Sequence, residues 1–410
     1  MTLAIIGAGN RGRVYAGFAE RHPEIARVVA IAEPRPFQRE RLRALHGVPA
    51  ERSFSSWEEP AALPRMADAV VIATADALHA DVAAAFAARG YDLLLEKPMA
   101  TTEDDCVRIV EAVERAGVIL AVCHVMRYTP YTRALKALLA AGRIGELVSV
   151  QHLEPVGWCH QAHSYVRGNW RREDESTFML MAKSCHDLDW LRYIVGRPWG
   201  RVSSFGGLTH FRPEARPDGA ADRCLDCVVE ADCAYSAKRF YLECLETPER
   251  RRWPLSVITD DLTVGGVQAA LRDGPYGRCV YGCDNDVVDH QVVSIEFAGG
   301  VTAAFTMTAF AEPAPRKTQL FGTRGSIDGD GRTIKVFDFL TRRTESIEVP
   351  APETGHSGGD DGVIAAFCHA VATRDGGTIL SGPRESLETH RMVFAAERAR
   401  RDGTVVSLDS

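Results

Sequence analysis

The chain has 410 residues, enough for two or three domains at roughly 150 residues each, and its 46% hydrophobic and 25% charged residues are ordinary globular usage, which excludes a disordered or fibrous chain. A net charge of −7 and a pI near 6.0, with no long basic run, exclude a protein that tracks a phosphate backbone, so no nucleic-acid partner is expected. The start lacks the charged and apolar regions of a signal peptide, and no stretch reaches the roughly 18 apolar residues of a membrane helix; a cytoplasmic protein without membrane contact is expected.

In chain order, the apolar run Leu3 to Ile6 enters Gly7, Ala8, Gly9, Asn10, Arg11 and Gly12, followed by a helix-compatible stretch to Arg21. A strand, glycine turn and helix in this order make a dinucleotide site: Gly7 for the tight turn, Gly9 for pyrophosphate approach, Gly12 for close helix packing. The next strand, from Arg27, ends in Glu33, about 20 residues on, where a carboxylate holds the ribose 2′-hydroxyl. Glu33 favours NAD over NADP, and Arg35 and Arg39 blur that preference. Strand Ala69 to Thr74, a helix through His79 to Arg89, and strand Asp92 to Leu95 running into Glu96-Lys97-Pro98 continue the alternation. A helix over 102–116 and a strand over 118–122 follow. Strands alternating with helices at this spacing predict a doubly wound parallel sheet with its ligands at the carboxyl ends of the strands.

The Gly7–Gly12 turn, the Thr74–His79 segment and Glu96-Lys97-Pro98 together resemble the glucose-fructose oxidoreductase/inositol dehydrogenase (Gfo/Idh/MocA) superfamily. The resemblance implies an α/β architecture: an N-terminal Rossmann domain, here 1–124, and a C-terminal α/β domain, here 125–410, with an open, largely antiparallel sheet that carries the substrate pocket and builds a homodimer or homotetramer. It implies that Lys97 approaches nicotinamide and substrate. It also puts Gly7, Gly9, Asn10, Arg11, Gly12, Glu33, Thr74, His79, Glu96, Lys97 and Arg127 around the cofactor, with Tyr128 beside them as a substrate contact.

In the second half, a helix over 132–141 precedes short strands from Leu147. The segment from Trp158 to Arg172 mixes aromatic and polar groups, including His163, Arg167 and Trp170, a combination suited to sugar hydroxyls and CH faces. A helical pattern over 179–191 carries His186 at the family's histidine position, but Ala182 stands where the family has an Asp. Lys183 is the candidate substitute. Cys224, Cys227 and Cys233, with Cys283, Cys279 or Cys244 as a fourth, read either as thiolates for a structural zinc or as reduced, buried thiols, because disulfides are disfavoured in the expected compartment. Alternating strands over 292–307 and helices over 362–372 and 383–401, both expected to pack on the sheet domain, close the chain.

The expected activity is NAD-dependent oxidation of a secondary hydroxyl of a sugar, sugar derivative or cyclic polyol, with Lys97, His186 and Lys183 as proton-transfer groups. The alternatives are glycoside cleavage by transient oxidation, elimination and hydration, and a non-catalytic NAD-binding regulator.

Overall fold

The computed structural model describes residues 1–350, 352 and 355–408. The N-terminal apolar runs form β1 (Thr2–Ile6), β2 (Arg27–Ala32), β3 (Ser53–Phe54), β4 (Ala69–Ile72), β5 (Asp92–Leu95) and β6 (Leu120–Val122). They pair in the order β3-β2-β1-β4-β5-β6, all parallel, which is the doubly wound order with its crevice between β1 and β4. Helices α1 (Asn10–Arg21), α2 (Pro36–His46), α3 (His79–Ala88) and α4 (Glu103–Ala116) connect them. Every residue of β4 and β5 is buried, since parallel strands are covered on both faces and need no polar side. Thr102 caps α4 by accepting from the Asp105 N–H, and Gly117 ends it in the left-handed conformation, as the sequence implies.

Helix α5 (Pro130–Ala140) leads to β7 (Leu147–Pro155), and α6 (Met179–Val195) to β8 (Trp199–Gly207). Residues 208–289 then form an excursion with short helices α7 (Ala237–Glu243) and α8 (Val264–Asp273). The chain returns through β9 (His290–Phe297), β10 (Thr302–Thr308), β11 (Lys317–Gly322), β12 (Gly325–Gly329), β13 (Thr333–Asp338) and β14 (Arg343–Glu348), and ends with α9 (Gly359–Thr373), α10 (Pro383–Asp402) and β15 (Val405–Ser407). The second sheet runs β14-β13-β12-β11-β7-β10-β9-β8-β15. Only the β7–β10 pair is parallel; its other pairs are antiparallel. Burial alternates along β9 and β10, the signature of a sheet covered on one face.

Helix α6 is buried nearly all round because it lies between β7 and β10 on one side and α10 on the other. Its last turn is closed by Gly196 at φ 70°, a left-handed position that favours glycine. Helix α10 packs on α6 and β8, as expected, and also on α4. Helix α9 does not join the sheet domain: Val363, Ile364, Phe367 and Cys368 share a core with Leu3, Ile5 and Tyr15. The last stretch of the chain is thereby brought back to the glycine turn. Among the described residues, no helix is long and apolar enough to cross a membrane.

Candidate active site

The glycine turn fits a dinucleotide on backbone grounds. Gly7 has φ +95°, and a Cβ there would lie 2.3 Å from the Ala73 carbonyl oxygen; a Cβ on Gly12 would lie 1.9 Å from the Gly7 oxygen. A Cβ on Gly9 would meet only the end of the Arg35 side chain, at 3.2 Å, so the space above this residue is open for close approach. Helix α1 starts at exposed Asn10 with no capping side chain and no acidic residue in its first turn, leaving N–H groups and the positive end of the helix dipole to meet a phosphate.

At the end of β2, the Glu33 carboxylate accepts from the Ala8 N–H at 2.8 Å and from the Arg35 Nε at 2.7 Å. Burial pushes its pKa up, but the Arg35 hydrogen bonds and charge and the Ala8 N–H hold it below the usual carboxylate range. Glu33 is therefore ionised beside the glycine turn. Arg39 is held on the Glu33 carbonyl oxygen.

The Glu-Lys-Pro motif leaves β5 and divides its two charged side chains. Glu96 is buried and accepts from Arg11 Nε at 2.5 Å and from the Tyr15 hydroxyl at 2.7 Å. Burial raises its pKa, yet Arg11 and Lys97 hold it below the carboxylate range. Arg11 also pairs with Asp360 of α9 at 2.7 Å, and Asp360 in turn binds His356 Nδ1 at 3.1 Å. Arg11, expected at the cofactor, thus spends its guanidinium on fixing Glu96 to the returning chain. Lys97 points the other way and donates from Nζ to the Ala182 carbonyl of α6 at 2.6 Å.

One helical turn after Ala182 stands His186, 6% exposed, whose Nδ1 has no protein partner among the described residues. Burial, with Lys97, His356 and His124 nearby, pushes its pKa well below the ordinary histidine value, so it is a neutral acceptor at pH 7. Its ring lies 6.1 Å from those of His124 and His356, centroid to centroid. Lys183 pairs with Glu154 of β7 at 3.0 Å, and Arg316 bridges Glu154, at 2.9 Å, to the buried Asp187. Trp170 donates to Asp76 at 3.0 Å, tying the 158–172 segment to the loop after β4.

Several expected contacts belong elsewhere. Arg127 is 3% exposed, grips Asp189 with both arms and donates to the Leu380 carbonyl; it seals the seam between the two halves rather than facing the cofactor. Tyr128 does the same through Ser381 and the Leu380 N–H, so it is not a substrate residue. His79 is fully buried, with Nδ1 2.8 Å from the Pro98 oxygen, and supports the motif from beneath. His163 is bound to the Tyr241 hydroxyl at 2.7 Å and stacked on Tyr276, while Arg167 is spent on the Arg278 and Tyr235 carbonyls; both belong to the core of the excursion. Thr74 keeps a buried hydroxyl without a protein partner among the described residues, at the β4 end where the nucleotide crevice opens.

The zinc expectation is corrected. Cys224, Cys227, Cys233 and Cys279 line one small cavity, but among the described residues no group of three or more His, Cys, Asp or Glu is arranged to hold a metal. The sulfurs are committed to other partners: Cys283 donates to the Cys279 carbonyl at 3.2 Å, and Cys224 lies 3.6 Å from an Arg167 nitrogen. Burial also pushes the Cys233 and Cys283 thiols above their usual pKa. The described cysteines are free.

Sequence reasoning missed Glu154, Arg316, His356 and Asp360. None sits in a local motif; the β7–β11 pairing and the return of α9 bring them to the cleft.

The family model "Oxidoreductase family, NAD-binding Rossmann fold" matches residues 1–124, and "Oxidoreductase family, C-terminal alpha/beta domain" matches 136–408. The chain is 24% identical over 310 residues to the Bacillus subtilis oxidoreductase YteT, covering 72% of this chain and 70% of that one. It is 26% identical over 276 residues to 2,7-anhydro-N-acetylneuraminate hydratase of Escherichia coli, covering 67% and 68%. Its fold is similar to that of the WlbA dehydrogenase of Bordetella pertussis in complex with NADH and UDP-GlcNAcA, with a TM-score of 0.67, 20% identity, and 99% and 98% of the two chains covered. With both halves of the chain matched, this protein belongs to the glucose-fructose oxidoreductase/inositol dehydrogenase (Gfo/Idh/MocA) family of oxidoreductases.

Proposed function

We propose that this protein oxidises a secondary hydroxyl of a sugar, sugar derivative or cyclic polyol with NAD. The observation that carries the reading is the convergence of Lys97 and His186 on one turn of α6, with Lys97 Nζ on the Ala182 carbonyl at 2.6 Å, at the carboxyl edge of the parallel sheet. The glycine turn, the first turn of α1 and Glu33 would hold the dinucleotide. When bound, NAD supplies the hydride acceptor. Lys97 orients the substrate hydroxyl and takes up its proton, with the Ala182 carbonyl keeping Nζ aimed into the cleft. Neutral His186 accepts a hydrogen bond from the same or the adjacent hydroxyl. Lys183 and Arg316, bridged by Glu154, are cationic donors for the remaining substrate oxygens.

A second reading is redox-neutral cleavage or hydration by transient oxidation. Two observations favour it: Ala182 removes the family's acid from α6, and a curated relative is named as a hydratase of an anhydro-sugar. Lys183 then supplies the second proton-transfer group. A panel of inositols, aldoses, nucleotide sugars, anhydro-sugars and aryl glycosides, followed for both NADH and released product, separates the two. Net oxidation gives NADH in step with substrate consumed; the redox-neutral reaction gives product with no NADH. No turnover of either kind across the panel would count against both.

The open face of the second sheet is read as a contact with a second copy of the chain, giving a homodimer or homotetramer. Cross-strand register sets Phe205, Val292, Thr306, Leu153 and Lys317 in one row across five strands. Within this row the neighbouring apolar side chains Phe205 and Val292 are exposed, Phe205 at 71%, and exposed apolar groups side by side on a sheet face suit an interaction surface. Phe205→Glu is expected to shift the molecular mass measured by light scattering toward the monomer; an unchanged mass would place the interface elsewhere.

A further inference from the structure

The excursion over 208–289 does more than extend the second domain, because it touches the nucleotide-binding half. Gln38, buried in the first turn of α2, donates from Nε2 to Asp260 Oδ1 at 3.2 Å. Helix α2 begins immediately after Glu33 and Arg35, so an exposed carboxylate from the other domain stands at the end of β2, where the ribose 2′ position is read.

That corner is rich in arginine. Arg35 covers Glu33 and reaches over Gly9. Arg39 sits on the Glu33 and Pro34 carbonyls, and Arg13 lies close enough to Arg35 and Arg41 to be repelled by both. A cluster of guanidinium groups at this position is what a 2′-phosphate requires. Glu33 opposes it, but Arg35 already engages both of its oxygens. Asp260 is the second acid of the corner, and both Arg13 and Arg35 feel its charge.

We infer that Asp260, delivered by the excursion and held by Gln38, is a cofactor-selectivity residue that keeps this arginine cluster from accepting a 2′-phosphate. The inference rests on the nucleotide site at the glycine turn but not on any substrate. An exposed charge acting over a few ångströms is worth a modest factor, so the effect is a change in a ratio of affinities rather than an all-or-none switch.

The test is equilibrium titration of the full-length protein and of Asp260→Asn with NAD, NADP and their reduced forms, read by nucleotide fluorescence or by the shift in melting temperature. Asp260→Asn keeps the shape and an acceptor for Gln38 while removing the charge. It should tighten NADP about threefold to tenfold and leave NAD within about twofold, the size of one partly screened charge. The gain should shrink at high salt, which a purely structural change would not do. Asp260→Glu should keep the original ratio. An unmoved NADP-to-NAD ratio in Asp260→Asn would overturn the inference while leaving the dinucleotide site intact. Failure of every nucleotide to bind the unmodified protein would overturn both.

Discussion

Lys97→Ala is expected to lower turnover at least about 100-fold, the lower end for a positioned proton-transfer group, while NAD affinity changes by no more than about threefold, a difference of under 1 kcal/mol. The split follows from how the motif divides its charges. Glu96 carries the structural load through Arg11, Tyr15 and, at one remove, Asp360. The Lys97 side chain donates one hydrogen bond, to a carbonyl of α6, and none to Glu96, so its removal leaves those hydrogen bonds in place. The phosphate cradle is built from main chain at Gly7–Gly12, away from this side chain. Calorimetric NAD binding and steady-state kinetics on the best panel substrate check the result. Normal turnover by Lys97→Ala would remove the proposed chemistry; lost NAD binding would make Lys97 a structural element instead.

Acid should destabilise the fold well before its carboxylates titrate. Burial lowers the pKa of His124 and His163 to about 3 and that of His390 to about 4, and His186 shifts in the same direction. An unfolded chain takes up these protons near pH 6.5, so between that value and about 4 it binds more protons than the folded protein. Stability therefore rises with pH across this window and falls on acidification, by about 1.4 kcal/mol per pH unit for each such histidine. Glu33, Glu96 and Asp189 have lowered values; the stability they add is fully present above about pH 4 and is lost only below it. The interval from pH 7 to 5.5 thus isolates the histidines. The melting temperature should drop by about 5 °C over it, taking roughly 1.2 °C per kcal/mol for a chain of 410 residues. A flat melting temperature would mean that the buried imidazoles are charged or reached by water in the folded state.

The parts of the site legible in the sequence are those in which chemistry and geometry share a short stretch. Gly7 and Gly12 announce themselves because only a missing Cβ fits 2.3 Å from Ala73 and 1.9 Å from the Gly7 oxygen. Lys97 and His186 follow from a strand end and a helix pattern. Arg127 and Tyr128 follow a strand in the same way, yet their roles were set by Asp189, Leu380 and Ser381, far along the chain. Local polarity also misread the 158–172 segment. His163 and Arg167 look like sugar contacts, but Tyr241, Tyr276 and the Arg278 carbonyl, all from the excursion, absorb them. The cysteine spacing pointed to a metal for which the packing of the described residues assembles no ligand group, because spacing says nothing about which way a sulfur turns. Helix α9 shows the same limit at the level of fold: its apolar face is plain in the sequence, but which core it joins depends on where the chain has returned.

The central claim is that a substrate C–H bond is oxidised at the Lys97–His186 turn. Its most direct test is to incubate the NAD-loaded protein with the panel substrate that turns over, deuterated at the carbinol carbon, and to read deuterium in the nicotinamide by mass spectrometry. Deuterium in the nicotinamide of a reaction quenched during turnover, abolished in Lys97→Ala, is the predicted result: it accumulates as free reduced cofactor in net oxidation, and in transient oxidation it is present only in the enzyme-bound reduced cofactor before the deuteride returns to the product. A reaction quenched during turnover with no label in the nicotinamide, free or bound, would contradict the account.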